Sequence, residues 1–415
     1  MTRTLLLVAS AWALGSGALR AQRAPSCDPA AGLSLPDRFC ALIVADSVGR
    51  ARHLVVAPNG DLFVALRGDE GGVLALRDTT GDGEADVLRR FGPAGGTGIA
   101  LDGGHLYFAT DDAVVRWAWA PGRLEPAGAP DTVVAGLLNR RQHAAKGIAI
   151  GRDGGLYVNV GAPSNACQEG DRQPGAEGQD PCPLLEVSGG VWRFETERLG
   201  QTQADGERFA TGLRNTLALA IEPASGALYG AQHGRDVLHA NWPDLFTEAQ
   251  GAEQPAEELF RLERGGDYGW PYCYYDPEKR RKVLAPEYGG DGETAGRCAE
   301  ARTPAVAFPA HWAPNGLAFY AGTQFPARYR GGVFVAFHGS WNRAPLPQQG
   351  YNVTFVPFAG GRPAGAYEVF ADGFAGPDKS PGGALHRPSG VAVGPDGSLY
   401  VSDDKGGRIY RILYR

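Results

Sequence analysis

Six short polar clusters in this chain carry residues that could do chemistry, and each stands at a turn beside an apolar run. His143 lies in Arg140-Arg-Gln-His-Ala-Ala-Lys-Gly147. An imidazole titrates near neutrality and can take a hydroxyl proton, so His143 is the candidate general base. Arg214 and Asn215 lie in Thr211-Gly-Leu-Arg-Asn215. The planar guanidinium fork matches a carboxylate, and the amide offers a donor and an acceptor together. In Ala231-Gln-His-Gly-Arg-Asp236, the glycine between polar residues can expose main-chain carbonyls, which are good calcium ligands. Phe337-His-Gly-Ser-Trp-Asn-Arg343 and Leu385-His-Arg-Pro-Ser389 add His338, Arg343 and Arg387. A set of Arg and His at successive turns predicts an anionic ligand. The last cluster, Asp78-Thr-Thr-Gly-Asp-Gly-Glu-Ala-Asp86, has calcium-loop spacing, with Asp78, Asp82 and Asp86 as candidate ligands. Arg89 stands where such a loop needs a bidentate glutamate. Plainer readings accompany each cluster: an exposed loop histidine, an Arg-Asn turn, a Gly-Asp-Gly hairpin.

The elements that must position these clusters repeat. Gly390-Val-Ala-Val-Gly-Pro-Asp-Gly-Ser-Leu-Tyr-Val401 is an apolar pair, a turn and an apolar-aromatic strand. The same pattern recurs at 54–64, 98–108 and 147–158, and more loosely at 217–229 and at 316–319 with 332–336. One hairpin repeated six times predicts an all-β, six-bladed β-propeller, because a single unit cannot bury its apolar faces without neighbours. Six blades of about 40–50 residues use roughly 240–300 positions. The 415-residue chain thus leaves room for long loops. These are expected at 161–188 and 271–305, with a helix signal only within 239–260. Such loops gather on the channel face of a propeller, where ligands bind.

A net charge of −6 argues against nucleic acid or an anionic membrane as the main partner. Residues 1–21 combine a basic start, a short apolar run and small residues, which predicts a secretory signal peptide cleaved after Ala18 or Ala21. No stretch is long enough for a membrane span, so the expected product is secreted or periplasmic. Residues 22–45 are expected to form an irregular N-terminal arm and 46–415 the propeller. Six cysteines suit an oxidising compartment, where nearest-neighbour pairs Cys27–Cys40, Cys167–Cys182 and Cys273–Cys298 are the sensible assignment among several. No Cys-x-x-Cys-His occurs, so no c-type haem is fused to the chain.

Arg214-Asn215, Gln232-His-Gly-Arg235 and Gly265-Gly-Asp-Tyr-Gly-Trp-Pro271 together resemble the soluble glucose/sorbosone dehydrogenase family. The resemblance covers nearly all of the mature chain, and Phe337 to Arg343 looks like the sorbosone branch. Members are secreted six-bladed propellers that oxidise sugars with pyrroloquinoline quinone (PQQ) and calcium. The resemblance implies His143 as the base, and Arg214, Asn215 and Arg387 as holders of the quinone's carboxylates and carbonyls. It implies the main-chain oxygens of Gly234 and Arg235 as calcium ligands, and hydride transfer from the sugar's C1. It also implies a separate electron acceptor, a cytochrome or a quinone.

Four positions depart from the family pattern. Gln142 replaces an acidic residue before the histidine, and Ala162 falls about where a second carboxylate belongs. Without them the imidazole lacks an evident orienting partner, and its pKa is expected near the ordinary value. A family lysine has no match, with Arg343 or His338 as its replacement, and Ser389 stands where a second arginine belongs. Two other readings stay open. A gluconolactonase-like calcium hydrolase needs side-chain carboxylates converging at the channel, where Arg, His and Asn stand instead. A non-catalytic propeller that binds ligands or partners is the other, since fold does not fix function.

Overall fold

All six sequence repeats fold into antiparallel hairpins, and each hairpin supplies the two inner strands of a blade whose sheet has four or five strands. The computed structural model describes residues 25–68, 71–93 and 95–415, so the expected leader over 1–21 lies outside the described residues. Blade I comprises Arg50–Val56, Leu62–Arg67, Gly72–Arg77 and Val87–Phe91. Blade II comprises Gly98–Asp102, His105–Ala109, Val114–Ala118 and Asp131–Ala135. Blade III comprises Ile148–Ile150, Gly155–Val160, Gly190–Glu195 and Glu207–Thr211. Blade IV comprises Ala218–Ile221, Leu228–Gln232, Glu257–Leu262 and Val306–Phe308. Blade V comprises Pro314–Phe319, Val333–Phe337, Asn352–Val356 and Glu368–Ala371. Blade VI comprises Pro388–Val393, Leu399–Asp403 and Ile409–Tyr414.

The outer strand of blade VI comes from the other end of the chain. Phe39–Ala45 pairs antiparallel with Ile409–Tyr414, Phe39 opposite Tyr414. That part of the arm, expected to be irregular, is therefore a strand. Phe39 sits edge-on to Phe325 and Phe370, with ring centroids 4.8 and 5.0 Å away. The six inner strands touch one another in sequence, and blade VI touches blade I, so the ring is closed.

Each interface between blades is an apolar cluster. Leu54, Val64 and Leu74 of blade I meet Tyr400 and Ile409 of blade VI, while Phe63 and Val73 on the opposite face meet Leu106 and Phe108 of blade II. Both faces of a sheet are buried, which is why the strands read as apolar runs. Near the axis the inner strands approach too closely for side chains. A Cβ on Gly147 would lie 1.9 Å from the Leu217 carbonyl oxygen, and one on Gly390 would lie 2.5 Å from that of Arg52. The glycine that opens these repeats is thus set by packing.

Antiparallel order also decides which residues share a rim. The start of each inner strand and the end of the second strand lie at one end of the ring, called here the channel rim. Loops 161–188, 233–256 and 338–351 leave from second strands and stand on that rim. Two short helices, Leu238–Asn241 and Glu248–Glu253, fall where the sequence carries its helix signal. Loop 263–305 climbs along blade III, pairing Gly266–Asp267 with Ala210–Thr211. It then meets loop 161–188, where Trp270 Nε1 donates to the Asn165 carbonyl at 2.9 Å. All three nearest-neighbour disulfides are formed. No helix among the described residues is long and apolar enough to cross a membrane.

Candidate active site

His143 precedes the inner strand of blade III in a left-handed backbone conformation (φ 54°), which non-glycine residues rarely adopt. Its Nδ1 lies 2.6 Å from the Ala162 carbonyl oxygen. A carbonyl only accepts, so Nδ1 carries the proton and Nε2 keeps its lone pair. Ala162 is held in turn, its amide donating to the Arg214 carbonyl at 2.8 Å. The orienting partner missing from the sequence is thus a main-chain oxygen, at the residue where the family carboxylate is absent. Burial, and next the Arg214 charge, push the imidazole well below its ordinary pKa, against the Ala162 hydrogen bond. This corrects the expectation that Gln142 leaves it near the ordinary value.

Arg214 and Asn215 open the inner strand of blade IV and lie beside His143. Arg214 is buried. It donates from Nη1 to the Gly234 carbonyl at 2.9 Å and from Nη2 to Asp236 Oδ2 at 2.7 Å. Its Nε is buried with no hydrogen-bond partner. Asn215 Oδ1 accepts from Asn159 Nδ2 at 3.1 Å, and its carbonyl accepts from the His233 amide at 2.9 Å. His233 Nε2 donates to the Pro314 carbonyl at 3.0 Å, and burial lowers its pKa to about 4. Gly234 is held by its amide on Glu257 Oε2 at 2.7 Å, and Glu257 Oε1 accepts from the Ala313 amide at 3.0 Å. Burial pushes the Glu257 carboxyl up to about 8. Arg235 pairs with buried Glu287 and leaves Nε and Nη2 without partners.

Farther round the rim, His338 Nε2 meets Asp404 Oδ1 at 2.6 Å, and Arg52 pairs with the same carboxylate. Burial raises the Asp404 pKa, but His338 and Arg52 outweigh it and hold the carboxyl far below its usual range. Arg387 donates from Nε to the His338 carbonyl at 2.9 Å and from Nη2 to the Gly339 carbonyl at 2.8 Å.

Two candidates stand apart from this assembly. Arg343 is buried, with Nη1 on the Ala252 and Ala310 carbonyls at 2.9 and 3.1 Å. It ties loops together outside the His143 cluster. The loop carrying Asp78, Asp82 and Asp86 joins the third and fourth strands of blade I, so it lies at the opposite end of the ring. Its carboxylates turn to the loop's own amides: Asp78 to those of Gly81 and Gly83 at 2.6 and 2.8 Å, Asp86 to that of Thr79 at 2.6 Å, and Asp82 to that of Glu84 at 3.0 Å. Among the described residues no three His, Cys, Asp or Glu side chains converge as metal ligands.

Asp236, Asp404 and Arg52 enter the rim without having been singled out. Asp404 had a readable signal, since it follows the second strand of its repeat just as His233 and His338 follow theirs. Arg172, which reaches Asp236 at 2.8 Å from loop 161–188, had none.

The fold is a closed six-bladed propeller with one rim lined by His, Arg and Asn. The family model described as TrAA12-like matches residues 33–415, and the chain belongs to that family. A PQQ-dependent pyranose dehydrogenase of Coprinopsis cinerea is 24% identical over 364 residues, covering 76% of this chain and 46% of that protein. An uncharacterized protein of Borreliella burgdorferi is 33% identical over 210 residues, covering 50% of this chain and 49% of its own. The chain spans about half the length of these two relatives. Among solved structures, the holo PQQ domain of the Coprinopsis cinerea pyranose dehydrogenase superposes with a TM-score of 0.74 at 21% identity, covering 92% of this chain and 97% of that one. A calcium structure of the Trichoderma reesei family AA12 enzyme gives 0.75 at 20% identity, covering 92% and 97%. At these identities the structural likeness establishes the fold.

Proposed function

We propose that this chain is a PQQ- and calcium-dependent dehydrogenase that oxidises a CH–OH group of an aldose or sorbosone-type sugar. One observation carries the reading: a neutral, half-buried imidazole with a free Nε2, fixed by the Ala162 carbonyl and set beside Arg214. The names of the relatives support the same reading.

The donor set fits a tricarboxylate quinone. Arg214 Nε and two nitrogens of Arg235 are buried donors without acceptors, an arrangement that costs free energy until an acceptor arrives. Arg214 and Asn215 would hold PQQ carboxylates and carbonyls, with Arg387 and His338 farther round the rim. Among the described residues no cluster of side-chain ligands converges, so calcium would rest on main-chain oxygens, with Gly234 and Arg235 the candidates. When bound, the quinone supplies a hydride acceptor and calcium a Lewis acid. The protein's own part is the proton. His143 Nε2 accepts it from the substrate hydroxyl, and the Ala162 carbonyl and the Asp236 charge favour the imidazolium that forms. Turnover would need a separate electron acceptor, a cytochrome or a quinone. Three disulfides support a site of action outside the cytoplasm.

The test is reconstitution of purified protein with PQQ and calcium, followed by dye reduction across a panel of aldoses. Sugar-dependent reduction that needs both additions is the expected result. PQQ binding without turnover would make the chain a ligand-binding propeller. Lactone hydrolysis without PQQ would make it a hydrolase.

A further inference from the structure

Three separate segments meet on one carboxylate at the rim. Asp236 Oδ2 accepts from Arg214 Nη2 at 2.7 Å and from Arg172 Nη2 at 2.8 Å. Asp236 Oδ1 accepts from Asn342 Nδ2 at 3.0 Å. The Asp236 main chain is clamped as well, its amide donating to Asn165 Oδ1 at 2.8 Å and its carbonyl accepting from Asn165 Nδ2 at 3.0 Å. Asn165 and Arg172 belong to loop 161–188, which the Cys167–Cys182 bond closes. Asn342 belongs to the loop that follows the second strand of blade V.

A simple ion pair needs one guanidinium for one carboxylate. Here two guanidiniums share a single oxygen, and like charges so close repel unless something fixes them. Arg172 holds a left-handed backbone (φ 60°) to take part, with its amide on Gln168 Oε1 at 2.9 Å. Backbone strain of this kind persists only where the surroundings enforce it. Arg172 has a second acid beside it, Asp171 at 3.7 Å, so Asp236 is the carboxylate that ties Arg214 into the cluster, and Arg214 Nε still lacks an acceptor.

We propose that Asp236 is a positioning residue: it fixes Arg214 beside Arg172 so that Arg214 meets an anionic group of the ligand. The identity of that ligand as PQQ rests on the function proposed above. The role predicts a sign that simple electrostatics does not. Asp236→Asn makes the site more positive, so a purely electrostatic contribution would tighten binding of the anionic quinone. Positioning predicts weaker binding, because Arg214 loses its carboxylate anchor.

The experiment titrates PQQ by absorbance into wild type, Asp236→Asn, Arg214→Ala and the double variant, each verified as folded by circular dichroism. Asp236→Asn should raise Kd at least about tenfold, and Arg214→Ala should erase that effect, since residues acting through one another are not additive. A second readout needs no quinone. The Arg214 Nε–H resonance should be discrete and slowly exchanging in wild type and averaged in Asp236→Asn. Should Asp236→Asn fail to fold, Asp236→Glu, which moves the carboxylate by one methylene, is read the same way. Unchanged or tighter binding, or an equal loss in the Arg214→Ala background, overturns the proposal. If wild type binds no PQQ but the Arg214 resonance still depends on Asp236, the cofactor reading falls and the positioning role stands.

Discussion

The two halves of the channel rim use the same residue types to different ends. On the side of blades III and IV, Arg214 and Arg172 share one carboxylate, Asp236. On the side of blades V, VI and I, Arg52 pairs with Asp404, and the main chain of Arg387 is tied to a second acid, Asp403, by its amide at 2.6 Å. Arg172 also lies 3.7 Å from Asp171, so each half has as many carboxylates as guanidiniums, and the difference is that one carboxylate joins two guanidiniums in the first half. Arg387 also spends two donors on carbonyls. The first half is therefore tied through one shared carboxylate, and the second through separate acids and main-chain carbonyls. An arginine that shares its acid and one that has its own look alike in sequence, and only the fold separates them.

The largest expected effect tests the base on the first half. His143→Ala should lower kcat of the reconstituted enzyme at least about 10²-fold with PQQ affinity little changed. Wild-type turnover in that variant would remove the base role. Next comes the contrast between the halves. Arg214→Ala should weaken PQQ binding by about 1.5–3 kcal/mol, the worth of charged hydrogen bonds. Arg387→Ala should weaken it less, and the reverse order, read from absorbance titrations, would invert the comparison.

A smaller effect lies in the pH profile. The rate needs a neutral imidazole, and the His143 ring is neutral above its lowered pKa. Hence kcat/KM should hold as pH falls through the ordinary histidine value of about 6.5 and drop only below it. An acid limb at or above that value would show that the base is not this ring. The smallest effect is expected at the far end of the molecule. Asp82→Ala should leave the calcium-dependent rise in Tm unchanged, because its carboxylate serves only a loop amide. Loss of that rise would move the metal to the Asp78 loop.

The blades were legible because the hairpin repeat states both the period and the turn. Even the opening glycines carried meaning, as Gly147 and Gly390 mark close approach of inner strands. His143, Arg214, Asn215 and Gly234 were legible because strand starts and second-strand ends must share a rim. Arg172 was not, because its contact with Asp236 spans 64 residues and depends on the path of a loop without periodicity. Arg343 carried the charge expected of a ligand holder, yet its fate was set by carbonyls on two other loops. Charge alone does not tell an arginine that faces a ligand from one that splints loops.

The strand Phe39–Ala45 gives this ring an order of construction. It is the first blade strand to leave the ribosome, and its partner Ile409–Tyr414 is the last. The Cys27–Cys40 bond staples the start of this strand, but the strand stays unpaired until nearly the whole chain exists. For most of synthesis the edge of Phe39–Ala45 is an open template for other strands. A chain cut short anywhere before residue 409 carries that open edge permanently, so C-terminal truncation should produce aggregation where loss of a surface loop would not.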